Sequence, residues 1–154
     1  MRALRGIRVV VCGTILAAAA LAMVFRHFGV PAGYDEVSRA LGTSETGATM
    51  LALRELARAR GLRSEGWRLG PGDLASIPLP AILLLGRRHY AVLQERSGTG
   101  DLVLLDPGRG RLVVTAPALY AIWTGEALLF GTPEGGGPWL GRPPQLNPIG
   151  RIQP

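Results

Sequence analysis

Three side chains could cooperate in chemistry: the thiol of Cys12, the imidazole of His89 and the carboxyl of Asp106. A thiolate attacks, an imidazole moves protons, and a carboxylate orients an imidazole. Local context alone reads each more plainly. Cys12, the only cysteine, lies in an apolar block and reads as a small buried hydrophobe. His89 stands at the mouth of a strand, where a hydrogen-bonded histidine is commonplace, and Asp106-Pro107 is turn-starting chemistry. His27, near the end of a helix, suits the negative pole of the helix dipole. A single cysteine leaves no intramolecular disulfide and no cysteine-based metal site, and no cofactor is expected.

The elements that must carry these residues follow from periodicity. Met1 to Arg8 holds three arginines, and Val9 to Phe25 then runs without a charge up to Arg26-His27. That block sits at the lower length limit for a spanning helix, about 17 residues. It is expected to be a single uncleaved N-terminal anchor through 9–25, its arginines on the cytoplasmic side, making the protein membrane-associated. The alternative is a soluble protein in which the block is a core helix, apolar all round. Gly29 and Pro31 should stop this helix near Phe28.

A short helix is expected over Tyr34 to Leu41, a loop over 43–47, and an amphipathic helix from Thr49 to Gly61 with Met50, Leu53, Leu56 and Ala57 on one face. A strand over Ser64 to Leu69 and a helical turn at Asp73 to Ser76 come next. The second half reads as strands at Ala81 to Leu85, Tyr90 to Glu95, Leu102 to Asp106, Arg111 to Thr115 and Glu126 to Phe130. The turns Ser97 to Gly100 and Pro107 to Gly110 join the middle three as an antiparallel meander, and Ala118 to Trp123 makes a helical turn or two. Helices first and strands afterwards define an α+β domain. Three segments are expected: an apolar helix over 1–28, a domain over 29–131, and an extended or disordered tail rich in glycine and proline over 132–154.

All 17 basic residues are arginine, and the formal charge is +6. They form no run or stripe with interleaved aromatics, which weighs against nucleic acid as a partner. No Gly-rich phosphate loop is present, so the chain does not hydrolyse ATP itself.

The order of motifs resembles the double-glycine, bacteriocin-processing cysteine peptidases, a papain-like family. Leu21 to Val30 is similar to that family's first helix. Gly47-Ala48-Thr49, Leu79-Pro80-Ala81-Ile82, His89-Tyr90-Ala91-Val92-Leu93, Leu105-Asp106-Pro107-Gly108-Arg109-Gly110 and Trp123-Thr124-Gly125 then follow in the same order and spacing. The resemblance spans roughly Leu16 to Phe130 and implies a papain-like fold with helices ahead of an antiparallel sheet. It implies that His89 is the catalytic histidine and Asp106 its orienting partner. It also implies a cysteine at a helix N-terminus seven residues before Met23, and a glutamine some six residues earlier; Leu16 and Val10 occupy those places. Cys12, followed by Gly13, stands four residues before Leu16, about 6 Å along a continuous helix.

Three functions stay open. A catalytically degenerate, membrane-associated domain would bind a peptide or protein partner, such as a membrane complex or transporter, with His89 and Asp106 vestigial. An active cysteine peptidase would use Cys12, His89 and Asp106 to process leader peptides. A structural subunit of a membrane assembly would use neither.

Overall fold

In the computed structural model the chain is described over residues 2–42, 48–86, 89–132 and 147–148, with side chains described from Ile15 to Thr132. It opens with one long helix, α1 (Arg2–Phe28). The helix stops at Gly29, whose φ of 71° is open to glycine without strain. There the Val30 amide donates to the Phe25 carbonyl at 2.9 Å and the Gly29 amide to Arg26 at 3.3 Å, a Schellman closure. Two shorter helices follow, α2 (Tyr34–Leu41) and α3 (Met50–Ala59). Thr49 caps α3 by accepting from the Ala52 amide at 3.1 Å. The expected loop over 43–47 lies outside the described residues.

The strands are β1 (Arg63–Arg68), β2 (Ala81–Leu85), β3 (His89–Arg96), β4 (Leu102–Asp106), β5 (Gly110–Val114), β6 (Trp123–Gly131) and β7 (Asn147–Pro148). They form one antiparallel sheet in the order β5-β4-β3-β2-β6-β1-β7. The meander expected for β3 to β5 is present, and β2 extends it. A 3-10 turn (Pro71–Ala75) lies between β1 and β2, and a short helix, α4 (Ala116–Tyr120), precedes β6. Of the expected tail, Asn147 and Pro148 pair with Arg68 and Trp67, and the rest lies outside the described residues.

The sheet is buried on both faces, as the apolar run at β2 foreshadows. Alternation sends Ile82, Tyr90, Val92, Leu128 and Phe130 to the side covered by the three helices. Their neighbours Ala81, Leu83, Ala91, Leu93, Ala127 and Leu129 join Leu74, Ile77 and Leu119 on the other side. This arrangement corrects the anchor expected over 9–25. Leu16, Ala17, Ala18, Ala20, Leu21, Val24 and Phe25 are buried in the helix-side core, so the second half of that block packs against protein. Among the described residues no helix is long and apolar enough to cross a membrane. The physical reason is shared chemistry: a helix buried within a domain and a helix buried in lipid are both apolar all round.

Candidate active site

His89 is the first residue of β3 and Asp106 the last of β4. Because these strands are antiparallel neighbours, one strand's start lies beside the other's end. The pairing brings His89 Nε2 to 2.7 Å from Asp106 Oδ2, although 17 residues separate them in sequence.

A tight turn holds the carboxylate. Asp106 pairs with Gly110 across β4 and β5, leaving Pro107, Gly108 and Arg109 to reverse the chain. Gly110 has a φ of 85°, which permits that reversal without strain. Asp106 Oδ1 accepts from the Gly108 amide at 2.8 Å and from the Arg109 amide at 3.1 Å. Both carboxylate oxygens are therefore engaged, one by the turn and one by the imidazole. The Asp106 side chain is only 4% exposed. Burial works to raise its pKa, yet the bond from His89, the Gly108 and Arg109 amides and the charge of His89 outweigh burial, and the net shift is downward.

An ionised carboxylate only accepts hydrogen bonds, so Nε2 of His89 carries the proton in this pair. In the neutral ring, Nδ1 is then the bare acceptor. Among the described residues Nδ1 has no hydrogen-bond partner, and the His89 side chain is 34% exposed. The arrangement can take up a proton at Nδ1 while the carboxylate fixes the ring's orientation and stabilises its charge.

The third member comes from α1. Leu16 reaches the turn from the helix side: a Cβ built on Gly108 would stand 3.7 Å from Leu16 Cδ2 and 3.4 Å from Asp106 Oδ1. Leu16 is thus a residue that α1 brings close to the turn that holds Asp106. Cys12 lies within α1 one turn earlier, and its side chain lies outside the described residues. The helix begins at Arg2, so both positions fall well inside it, where backbone amides are bonded to carbonyls four residues back. Only the first four amides of a helix are free to polarise a thiol or hold an oxyanion.

Two further contacts add roles that the sequence did not assign to these residues. The Gly108 and Arg109 amides brace Asp106, and the Asp-Pro-Gly turn signal was available to find them. Tyr90, next to His89 and buried, donates its hydroxyl to the Ala48 carbonyl at 3.1 Å. Nothing local in sequence marks that tie.

A papain-like α+β domain with a histidine–aspartate pair at the sheet's end is the class that this fold and site define. The peptidase C39 family model matches residues 13–134, and the chain belongs to that family. The match includes Leu16, His89 and Asp106 and begins one residue after Cys12. An uncharacterised protein of Methanothermobacter thermautotrophicus is 32% identical over 115 residues, covering 75% of this chain and 80% of the relative. The colicin V secretion/processing ATP-binding protein CvaB of Escherichia coli is 29% identical over 110 residues, 71% of this chain but 16% of that protein. Among solved structures, a double glycine motif protease from an AMS/PCAT transporter, in complex with the leader peptide, superposes with a TM-score of 0.72 at 27% identity. The overlap covers 76% of this chain and 84% of that one. The peptidase domain of Streptococcus ComA, a bifunctional ABC transporter, has a TM-score of 0.69 at 20% identity over 77% and 92% of the two chains, a likeness of fold.

Proposed function

We propose that this chain is a catalytically degenerate C39 domain that holds a peptide without cutting it. The observation that carries this reading is Leu16, an aliphatic side chain that α1 sets against the turn beside His89 and Asp106. An aliphatic side chain supplies no nucleophile. Burial inside α1 also withholds the helix N-terminus that would lower a thiol pKa. His89 and Asp106 are then vestigial as catalysts, and their retained pairing keeps the β3 and β4 ends together. The expected occupant is a peptide resembling an export leader, an amphipathic helix ending in a small-residue pair, and the expected assembly partner is a transporter. Association with a membrane would come through that partner.

The second reading, an active peptidase using Cys12, is favoured by the completeness of the His89–Asp106 pair. It requires the start of α1 to shift so that Cys12 meets Nδ1. Alkylation of Cys12 by iodoacetamide across pH, in the natural protein and in His89→Ala, separates the two. Slow modification near neutral pH, the same in both proteins, is the outcome for a degenerate domain. Fast modification that slows in His89→Ala reveals a thiolate–imidazole pair and overturns it.

A further inference from the structure

The two sides of the sheet end differently. On one side β7 covers β1, whereas on the other β5 is the last strand and has no strand beyond it among the described residues. An uncovered edge presents a row of unpaired amides and carbonyls, which is a template for another strand.

The register says which groups are open. Asp106 and Gly110 close the turn and form the first hydrogen-bonded pair of the β4–β5 ladder, and bonded pairs then alternate with unbonded ones. Leu112 and Val114 therefore bond to Leu104 and Leu102, while Arg111 and Val113 direct their amides and carbonyls away from β4. No turn, loop or cap bond takes up those groups among the described residues. Alternation also sorts the side chains. Leu112 and Val114 pack onto the core on one face, and Arg111 and Val113 share the other, where Val113 is 58% exposed. Arg109 and Arg111 are both exposed, and no carboxylate pairs with either among the described residues. The one acidic residue over 102–115 is Asp106, which is buried.

We propose that β5 takes up an extended, acidic segment of a partner protein as a further strand of the sheet. Backbone bonds to Arg111 and Val113 hold the segment. An acidic residue faces Arg111, and a β-branched residue two positions away faces Val113. Charge decides against a second copy of this chain as the occupant. The formal charge is +6, and pairing β5 with itself would gather the exposed arginines of both copies along one edge. The added strand is separated from His89 by β5 and β4, so this contact is independent of whether the chain cuts a peptide.

The test uses a short fluorescein-labelled peptide with glutamate and valine two positions apart and threonine elsewhere. One twin carries lysine for glutamate; another is N-methylated at the glutamate and valine amides, which removes the donors that would face β5. Binding to the full chain is read by fluorescence anisotropy and exchange of the β5 amides by NMR. Expected are saturable binding of the glutamate peptide, slowed exchange at Arg111 and Val113, and a Kd about tenfold weaker for each twin. Arg111→Glu should reverse the preference between glutamate and lysine. Val113→Pro removes an outward amide and leaves the β4 ladder intact, and should weaken binding about fivefold to tenfold. An unchanged Tm in Arg111→Glu shows that its effect is not a loss of fold. If the N-methylated twin binds as well as its parent, charge alone attracts the peptide and the added strand is overturned. Self-association in sedimentation that Val113→Pro abolishes makes the occupant a second copy and overturns the acidic partner. No binding of the glutamate peptide at high micromolar concentration overturns the proposal outright. Each of these results leaves the reading of the candidate site standing.

Discussion

Leu16 and Gly108 are 92 positions apart in sequence, yet Leu16 Cδ2 lies 3.7 Å from where a Cβ on Gly108 would stand, beside Asp106. A side chain at position 16 is therefore close to the turn that holds Asp106. A thiol placed there in a Cys12→Ala/Leu16→Cys protein should sense His89. Its alkylation by iodoacetamide at pH 7 is expected to be about threefold to tenfold faster than in the same protein carrying His89→Ala. Peptide cleavage is not expected to return, because the interior of α1 leaves no free amides for an oxyanion. Equal alkylation rates with and without His89 would show that position 16 does not face the imidazole.

Asp106 should make stability depend on pH on the acid side. Its pKa is lowered in the folded protein. A depressed carboxylate pKa contributes stability that is present above the unfolded value, near 3.9, and is lost as pH falls through the folded value. The Tm of the natural protein should accordingly drop as pH falls below about 4. In Asp106→Asn the drop should be shallower. The amide also turns a donor toward His89 Nε2, forcing the ring to its other tautomer, at a cost of about 1–3 kcal/mol at pH 7. Parallel acid limbs in the two proteins would count against the pair as a determinant of stability.

Much of this architecture is legible in the residues, and the exceptions have physical causes. Gly29 and Gly61 mark the ends of α1 and α3 because few other residues adopt a positive φ there. Ala81 to Leu85 is legible as a doubly buried strand because it is too short and too uniformly apolar to be a helix of its own. Pro71 begins the 3-10 turn two residues ahead of the expected helical turn at Asp73. The block over 9–25 is different, since apolar length is common to a bilayer span and a core helix. What decides between them is the packing of α2, α3 and β3 around it. His89 and Asp106 are each unremarkable in local context, and only the order of motifs around them picks them out. Contact between Leu16 and the Asp106 turn depends on how α1 lies on the sheet, which no local pattern encodes.

Tyr90 should couple alkaline pH to the N-terminal end of α3. Its phenol is pushed up to about 12, first by burial and then by the Glu126 carboxylate, and its hydroxyl donates to Ala48. A raised pKa contributes stability that is present below the unfolded value, near 10, and is lost as pH rises through 12. Absorbance titration of the folded protein should show one tyrosine ionising late, with unfolding rather than before it. In Tyr90→Phe that late step disappears, and stability at pH 7 falls by about 1 kcal/mol for the lost hydrogen bond. A tyrosine spectrum that titrates fully near pH 10 while the protein stays folded would contradict this assignment.

Arg96 fastens the segment between β1 and β2 to the sheet. Its Nε donates to the Leu74 carbonyl at 2.5 Å and its Nη2 to the Ile77 carbonyl at 2.6 Å, at the end of the 3-10 turn. Burial lowers its pKa, and no carboxylate pairs with it among the described residues. The guanidinium is a planar fork that reaches two carbonyls at once, which the single ammonium of lysine does not reproduce. Arg96→Met removes both bonds while keeping the apolar stem, and should cost about 1–3 kcal/mol. Arg96→Lys should recover less than half of that loss. Limited proteolysis gives a local reading, because releasing the Leu74 and Ile77 carbonyls exposes the connection over 69–80 before the whole domain unfolds. Cleavage there should rise in Arg96→Met well below its Tm; unchanged cleavage with an unchanged Tm would show that Leu74 and Ile77 are held by packing in the core rather than by Arg96.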